Sequence, residues 1–344
     1  MFISKSGEIY MMTKYVLKRI GLMIITFIIL TYLIFYIIRL MPDFHQMEIG
    51  ADPDIRAWRL RMMGFGPDGK PIVPIYVQFW RWITEIFKGE EYFKVSWYSF
   101  VRKRYVYDVL FERLPETIRI NIFPFLISVP LGIGLGILAA LKKNKPTDHV
   151  ISIGVMILIS VPSFVIAVLL QLLFVYKWKI LPFAFVLTKE KAALDPVGDV
   201  LSRILPITVL SSGMIAAWTR LLRAELSETL TSEFMLLARA KGLTKRQATL
   251  RHALRNAFVP FAPAIIGGFV SLLSGSLIVE QTFKITGVGG LYIEAIGSTD
   301  GLPDYPMVMM ISIFYLSIGL LAGIVADLSY GFIDPRIKMG AGKQ

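Results

Sequence analysis

The chain has 344 residues, 55% of them hydrophobic, and a formal net charge of +12. Several apolar runs are about 20 residues long and do not alternate in polarity, which excludes a soluble globular protein and indicates an all-α integral membrane protein. The sequence has no cysteine, which excludes disulfides, thiol catalysis and a cysteine metal site, and its 3 histidines are too scattered for a histidine-rich metal site.

The first predicted membrane helix covers residues 20–38, which carry no charge. A polar tail with basic residues precedes it, so residues 1–41 form a tail and the first span. The apolar run is too long for a signal peptide and lacks a small-x-small cleavage site. We therefore expect an uncleaved helix that ends on the outer side at Arg39.

Residues 42–116 form a long segment that is predicted to be extracytoplasmic. The stretch 64–71 nearly matches a phosphate-binding P-loop, but a proline replaces the Ser/Thr that binds Mg²⁺, so we interpret it as a Gly/Pro turn. The stretch 76–87 is aromatic and amphipathic and predicts a helix. Trp80 and Trp82 within it suit the membrane–water boundary, and a surface that receives a partner protein is the alternative.

The second span is predicted at about 120–141. Pro115 precedes it and predicts a helix that starts with proline and enters the bilayer there. Gly132, Gly134 and Gly136 superficially resemble a dinucleotide-binding fingerprint. Within an apolar helix, the spacing of Gly132 and Gly136 instead predicts a face on which another helix packs closely.

The third span, at about 150–175, carries Pro162 and Ser163 near its middle. A proline inside a span frees a backbone carbonyl, which is tolerated where neighbours or a cavity satisfy it. Lining of a transport path and a purely structural kink are both open interpretations. The fourth span, at about 204–222, is short and is predicted to lengthen into a cytoplasmic helix.

Residues 223–260 are basic and amphipathic and lie between two apolar runs. Ser232 is the predicted N-cap of a first short helix, and Gly242 is its predicted stop because glycine enters the left-handed conformation without a Cβ penalty. Thr244 and Gln247 form a predicted capping box that starts a second helix. A solvated cytoplasmic loop is the plain alternative, whereas nucleic-acid binding is disfavoured because no recognition-helix scaffold is present.

The fifth and sixth spans are predicted at about 261–280 and 306–327. Small residues in the fifth span favour close helix packing or a pore lining. Glu280, the acid at the outer end of this span, is a functional candidate, and an interfacial salt bridge with Lys284 is the alternative. The candidates for a substrate path are Pro162, Ser163, Ser271, Ser274 and Glu280.

Six spans return both termini to the cytoplasm. The segments then predicted to be cytoplasmic carry the whole excess of +12, and the rest of the chain is neutral overall. Retention of Lys and Arg on the inner side of the membrane produces this distribution. The basic charge is thereby explained without a nucleic-acid partner.

The loop between the fourth and fifth spans resembles the cytoplasmic EAA loop of ABC-transporter permeases, in the version found in B-type subunits of the oligopeptide/dipeptide permease family. The similarity lies in residues 238–243 and 251–257, followed by Pro260. Leucines replace the first two residues of Glu-Ala-Ala, and Arg255 replaces a proline, as in the peptide-permease variant. Further similarities spread the resemblance over about residues 14–338, at 39–42, 113–117, 280–283, 287–291 and 332–336.

This resemblance implies one membrane subunit of an ABC importer, with a permease core at 117–338 and cytoplasmic coupling helices in 223–260. The implied partners are a homologous C-type permease subunit, one or two cytoplasmic ATPase subunits and an extracytoplasmic solute-binding protein. The chain is then no enzyme and holds no cofactor, because the ATPase partners bind ATP and Mg²⁺. The residues implied to couple to the ATPase are Glu233, Phe234, Leu237, Ala238, Arg239, Ala240, Lys241, Gly242, Leu243, Arg251, Arg255 and Asn256.

Short peptides are the implied cargo, and importers of nickel, glutathione and oligosaccharides share this permease type. The implied location is the inner cell membrane, which the chain crosses several times. A stand-alone secondary transporter is less favoured, because it needs ion-coupling charges inside its spans and the predicted spans have charges essentially only at their ends. A membrane enzyme is disfavoured because the spans hold no acid–base constellation.

Overall fold

A computed structural model describes residues 3–40, 57, 60, 64–66, 71–88, 96–99, 101–297 and 303–333, and these are mostly helical. The helices are α1 (Ile3–Leu40), α2 (Ile75–Ile86), α3 (Val106–Leu141), α4 (Pro146–Ser160), α5 (Ser163–Leu170), α6 (Lys189–Leu194), α7 (Pro196–Leu230), α8 (Glu233–Ala240), α9 (Lys245–Ala248), α10 (Leu254–Val270), α11 (Leu277–Thr282), α12 (Val288–Ile296) and α13 (Tyr305–Ile333). A short antiparallel hairpin pairs β1 (Tyr98–Ser99) with β2 (Arg104–Tyr105).

Several helical stretches are long and apolar enough to cross a membrane. Within the described ranges there are 5 of them: Thr13–Leu40, Val106–Leu141, Pro196–Leu230, Lys245–Thr282 and Tyr305–Tyr330. The number of candidate spans rises to 6 if the bent helix pair Pro146–Ser160 and Ser163–Lys177 is counted as one span. The predicted all-α membrane architecture is confirmed.

The second span begins earlier than the sequence predicts. Helix α3 starts at Val106, so the predicted start at Pro115 is wrong, and that proline lies inside the helix. Val106 and Leu110 are 0% and 2% exposed and belong to a hydrophobic core with Trp97. Burial of an apolar face, more than local propensity, stabilises helices in proteins, and it explains why helical structure extends ahead of the proline.

The third span is broken rather than kinked. Val161 precedes Pro162 and has an extended backbone (φ −82°, ψ 124°), which ends α4 at Ser160. Steric conflict with the proline ring disfavours the helical conformation at the preceding residue. Helix α5 starts at Ser163, continues as a π-helix through Lys177, and is bent by 98° from α4. The prediction of one continuous span is therefore wrong at this point.

Helices α3 and α7 pack closely against each other. A Cβ atom on Gly132 would overlap the Cβ of Trp218, and one on Gly136 would lie 3.0 Å from the Cβ of Leu222. Both glycines therefore allow the backbone of α3 to approach α7. The predicted helix-packing face is confirmed. Helix α7 also extends to Leu230, which confirms the predicted lengthening of the fourth span.

We expect Gly132→Ala to lower the free energy of unfolding by roughly 1–3 kcal/mol, because the added methyl group overpacks the α3–α7 contact. Gly134 is a matched control on the same helix, since no heavy atom of the described residues lies within 4 Å of the place its Cβ would take. Gly134→Ala should be neutral or stabilising by up to about 1 kcal/mol, the helix preference of alanine over glycine. Thermal unfolding in detergent measures both variants, and equal Tm values would contradict the packing face.

The fifth span is interrupted near its C-terminal end. Helix α10 begins at Leu254, before the predicted boundary of 261–280, and a 3₁₀ turn (Ser271–Ser274) follows it. Gly275 then has a φ of +67°, a conformation that glycine adopts readily and that ends the helix. Helix α11 resumes at Leu277.

The P-loop-like stretch 64–71 lies partly outside the described residues, which omit 67–70. Its flanks approach each other in an antiparallel bridge between Phe65 and Pro71. The N–H of Ile72 also donates to the carbonyl of Gly64 at 2.8 Å. These contacts agree with a reversal of the chain, and the turn itself stays a prediction.

Candidate coupling loop and outer polar network

Helix α8 shares a hydrophobic cluster with the long helices α7 and α10. Its inward side chains, Met235 and Ala238, are 4% and 9% exposed. They belong to this cluster together with Leu222 and Leu226 of α7 and Phe261 of α10. Through these two side chains α8 is part of the apolar core that α7 and α10 form.

The local signals predicted for residues 223–260, which we call the coupling loop, are present in the structure. Gly242 follows α8 with a φ of +88°, as a helix stop requires. The hydroxyl of Thr244 accepts from the N–H of Gln247 at 3.2 Å, and the Gln247 side chain accepts from the N–H of Thr244 at 3.0 Å. The predicted stop and capping box are confirmed. Ser232 occupies the N-cap position, but its hydroxyl donates to the Thr229 carbonyl at 2.6 Å instead of capping α8.

The outward face of α8 is an apolar surface with a basic edge. Phe234, Leu236 and Leu237 are 41%, 65% and 57% exposed. Arg239 and Lys241 beside them are also exposed. At about 100° per residue, Leu237 lies between the other two around the helix, about 60° from Phe234 and 100° from Leu236. Large apolar side chains that are exposed and bordered by polar residues mark a site of protein–protein or membrane interaction. We call the three apolar residues the α8 face.

Most residues predicted to couple to an ATPase are accessible. The exposed ones are Glu233, Phe234, Leu237, Arg239, Ala240, Lys241, Gly242, Arg251, Arg255 and Asn256, and Leu243 is half-buried. Ala238 differs, because it lies three residues after Met235 and therefore on the same inward side of the helix. It supports the loop from within rather than offering a surface. Leu236 is missing from the predicted set, although it belongs to the α8 face.

Glu280 is completely buried, and it caps a neighbouring helix. Its carboxylate accepts from the Thr117 hydroxyl at 3.2 Å and from the N–H of Gly290 at 3.1 Å. The Thr117 hydroxyl also accepts from the N–H of Val288 at 2.8 Å. Gly287, at the N-cap of α12, has no side chain with which to satisfy these donors. Glu280 and Thr117 together replace that cap and join α3, α11 and α12.

The alternative of an ion pair between Glu280 and Lys284 is not what the described residues show. The ammonium group of Lys284 lies 4.4 Å from the ring centroid of Phe185. This is the distance of a cation–π contact. Glu280 is instead held by the hydroxyl and amide donors described above.

The other substrate-path candidates are more accessible. Pro162 is exposed, and Ser163 is half-buried at the start of α5, which packs against α11. The hydroxyls of Ser271 and Ser274 donate to carbonyls of their own turn at 3.0 and 2.7 Å. A transport role for these residues stays a prediction. The complete burial of Glu280 fits a structural role for this side chain.

A network of four charged residues, three of them buried, joins α3 to α7, and sequence reasoning missed it. Arg203 pairs with Glu116 of α3 and donates to Asp199 at 2.9 Å. Asp199 also accepts from Arg119 of α3 at 2.6 Å. The side chains of Arg203 and Asp199 are only 6% and 5% exposed. The spacing of Asp199 and Arg203 indicates a pair within one helix, but nothing local points to α3.

The sequence matches a family of transport proteins over most of its length. Residues 132–339 match the family described as "Binding-protein-dependent transport system inner membrane component". Residues 12–121 match the N-terminal region of this type of membrane component. The chain belongs to this family.

Curated relatives of this inner membrane component are similar over nearly the whole chain. It is 29% identical over 328 residues to the dipeptide transport system permease protein DppB of Lactococcus lactis subsp. cremoris, covering 95% of this chain and 100% of that protein. It is 28% identical over 330 residues to the glutathione transport system permease protein GsiC of Salmonella paratyphi A, covering 95% and 99%. A solved structure of the MetNI methionine ABC transporter, in inward-facing conformations, is 16% identical with a TM-score of 0.50 and covers 66% of this chain and 96% of that chain. The structural likeness concerns the fold alone.

An ion pair braces the coupling loop of this inner membrane component from the side of α4. Arg223 donates to the two carboxylate oxygens of Asp148 at 2.6 and 2.8 Å, and Asp148 is 1% exposed. Bidentate pairs of this kind have a fixed geometry. Arg223 directly follows Leu222, which lies under α8. Helix α4 is therefore held to the part of α7 that supports the loop.

We expect Gly242→Val to destabilise the coupling loop of this family member by about 1–2 kcal/mol, because a left-handed backbone brings a Cβ too close to the next carbonyl. Within the described part of the chain, no heavy atom lies within 4 Å of the place where its Cβ would be, so the backbone conformation sets the effect. Gly242→Asn is the control, since asparagine tolerates the left-handed region far better than a β-branched residue. Limited proteolysis within 223–260 measures the loop, and equal cleavage of both variants would contradict this account.

Proposed function

We propose that this chain is a transmembrane subunit of an ATP-driven importer and passes short peptides that an extracytoplasmic binding protein delivers. Separate cytoplasmic ATPase subunits bind and hydrolyse ATP, and a homologous C-type permease completes the path. Both termini and the coupling loop lie in the cytoplasm. Family membership supports the transport role, and relatives named for dipeptide and oligopeptide transport support the cargo class.

The observation that carries this proposal is the α8 face. Three large apolar side chains are exposed on a short helix whose other side is packed against α7 and α10. A partner can bind the exposed side of α8 while the packed side keeps its contacts. A movement of a partner that is docked there is transmitted to α7 and α10.

Helix α7 transmits this movement from the coupling loop to the other end of the helix. Its 35 residues span about 50 Å. Leu222 and Leu226 near one end lie under α8, and Arg203 near the other end is tied to Glu116 of α3. Closure of the ATPases on α8 then moves α7 and α3 as one rigid body. ATP on the partner biases the balance between inward-facing and outward-facing states.

Glutathione is the second candidate cargo, because a relative that matches nearly the whole chain is named for its transport. Nickel and oligosaccharides remain further alternatives. Uptake of a labelled dipeptide into proteoliposomes that contain the complete transporter tests the assignment. We expect ATP-dependent uptake that unlabelled peptides inhibit. Inhibition by glutathione, nickel or an oligosaccharide, without inhibition by peptides, would contradict the peptide assignment.

We expect the purified chain alone to show no ATP hydrolysis above that of empty detergent micelles. Addition of the ATPase partner should produce hydrolysis, and addition of the binding protein with its cargo should stimulate it. Release of phosphate measures the three mixtures. Turnover by the single subunit would overturn its assignment as a passive transport subunit.

A further inference from the structure

Helix α2 packs beside the outer end of the first span. The ring centroid of Phe79 lies 5.1 Å from that of Tyr32 and 5.5 Å from that of Phe35. Trp82, also predicted to lie at the membrane boundary, packs on Phe35 with their ring centroids 5.6 Å apart. Helix α1 ends at Leu40, so at 1.5 Å per residue these contacts lie within about 12 Å of its end. Helix α2 is thus beside the last turns of a membrane-crossing helix rather than beyond them.

One edge of the outward side of α2 is aromatic. Tyr76, Trp80 and Phe87 are 58%, 54% and 83% exposed. At about 100° per residue they fall within about 40° of one another around the helix. Phe79 and Gln78 are buried, at 2% and 1%, and mark the side that faces the protein.

A polar edge borders the aromatic one. Arg81 and Thr84 are exposed and occupy the next sector of the helix, roughly 40–100° away from Trp80. Helix α2 therefore has three sectors: one packed on the protein, one exposed and aromatic, and one exposed and polar. A helix that lies in the plane of a membrane surface has apolar and polar edges of this kind.

The neighbouring surface of α1 indicates what covers the aromatic edge. Leu33, Ile37 and Leu40 are 47%, 58% and 62% exposed, on a helix that is long and apolar enough to cross a membrane. Acyl chains cover such residues. We infer that α2 lies in the plane of the membrane, at the extracytoplasmic surface. Its aromatic edge, formed by Tyr76, Trp80 and Phe87, inserts among the lipids. Tyr and Trp side chains are enriched at this depth.

Spin labels at single cysteines test this inference, and the chain has 0 native cysteines. The variants are Trp80→Cys on the aromatic edge and Thr84→Cys on the polar edge, each in the complete transporter in lipid nanodiscs. Oxygen concentrates in the bilayer, whereas a nickel chelate stays in water. We expect the ratio of oxygen to nickel collision rates to be severalfold higher at Trp80→Cys. Tyr76→Cys, also on the aromatic edge, should give the same result. It keeps the inference testable if Trp80→Cys does not fold.

Two outcomes would overturn the inference. Equally low ratios at Trp80→Cys and Thr84→Cys would place both edges in water. Protection of Trp80→Cys from both reagents would show that a protein, such as the binding protein or the second permease subunit, covers this edge. Neither result depends on which solute the transporter carries.

Discussion

Leu237→Glu is expected to abolish ATP-driven transport while the chain remains inserted in the membrane. Leu237 is 57% exposed beside Phe234 and Leu236. A carboxylate there lies in water in the free chain, so the subunit keeps its own fold. In the proposed docking of α8 on an ATPase, the charge would lose water without gaining a partner. A loss of about 2 kcal/mol or more follows, which is roughly a 30-fold loss of affinity.

Co-purification of the ATPase and uptake by proteoliposomes measure this effect together. Leu194→Glu is the matched control, because Leu194 is 87% exposed on α6, far from α8 in the sequence. It should retain both ATPase binding and uptake. Transport by Leu237→Glu at the normal rate would contradict the docking role of the α8 face, as would equal losses in the two variants.

Arg203→Ala is expected to cause the largest loss of stability, about 3–5 kcal/mol. The substitution removes the cation that Glu116 and Asp199 share, and both carboxylates are buried, since their side chains are only 11% and 5% exposed. Asp199 keeps its bond to Arg119, whereas Glu116 loses its cation. An uncompensated buried charge destabilises far more than the loss of a surface pair. The connection between α3 and α7 should loosen at the same time.

Arg119→Ala is the control for this network. The side chain of Arg119 is 48% exposed, and Asp199 keeps its bonds to Arg203 when Arg119 is lost. A loss of about 1 kcal/mol or less is expected for such an exposed partner. Thermal unfolding in detergent compares the variants. A Tm for Arg203→Ala no lower than that of Arg119→Ala would show that the buried network does not stabilise the fold.

Short-range signals explain why the coupling loop could be predicted closely. The capping box at Thr244 and Gln247 and the stop at Gly242 involve residues that are near neighbours in sequence, so their pattern alone fixes the backbone. The α8 face was largely predictable from resemblance. The inward position of Ala238 also follows from its spacing to Met235, once the packed side of α8 is known.

Long-range packing explains what the sequence could not predict. The Arg203–Glu116 and Arg223–Asp148 pairs join residues 87 and 75 positions apart, and no local pattern selects such partners. Pro162 marks where α4 ends, but the local rule does not give the direction of the next helix. The start of α3 before Pro115 likewise depends on core contacts that only the folded chain brings together.

Crosslinking from Leu237 tests the central claim most directly, since that claim places the α8 face inside the cell in contact with a separate ATPase. Leu237→Cys would carry a photoactivatable crosslinker in the assembled transporter, with Leu194→Cys as the control. We expect an adduct between Leu237→Cys and the ATPase subunit, and no such adduct from Leu194→Cys. Labelling of Leu237→Cys by an impermeant thiol reagent added outside intact cells, or absence of the ATPase adduct, would contradict the account.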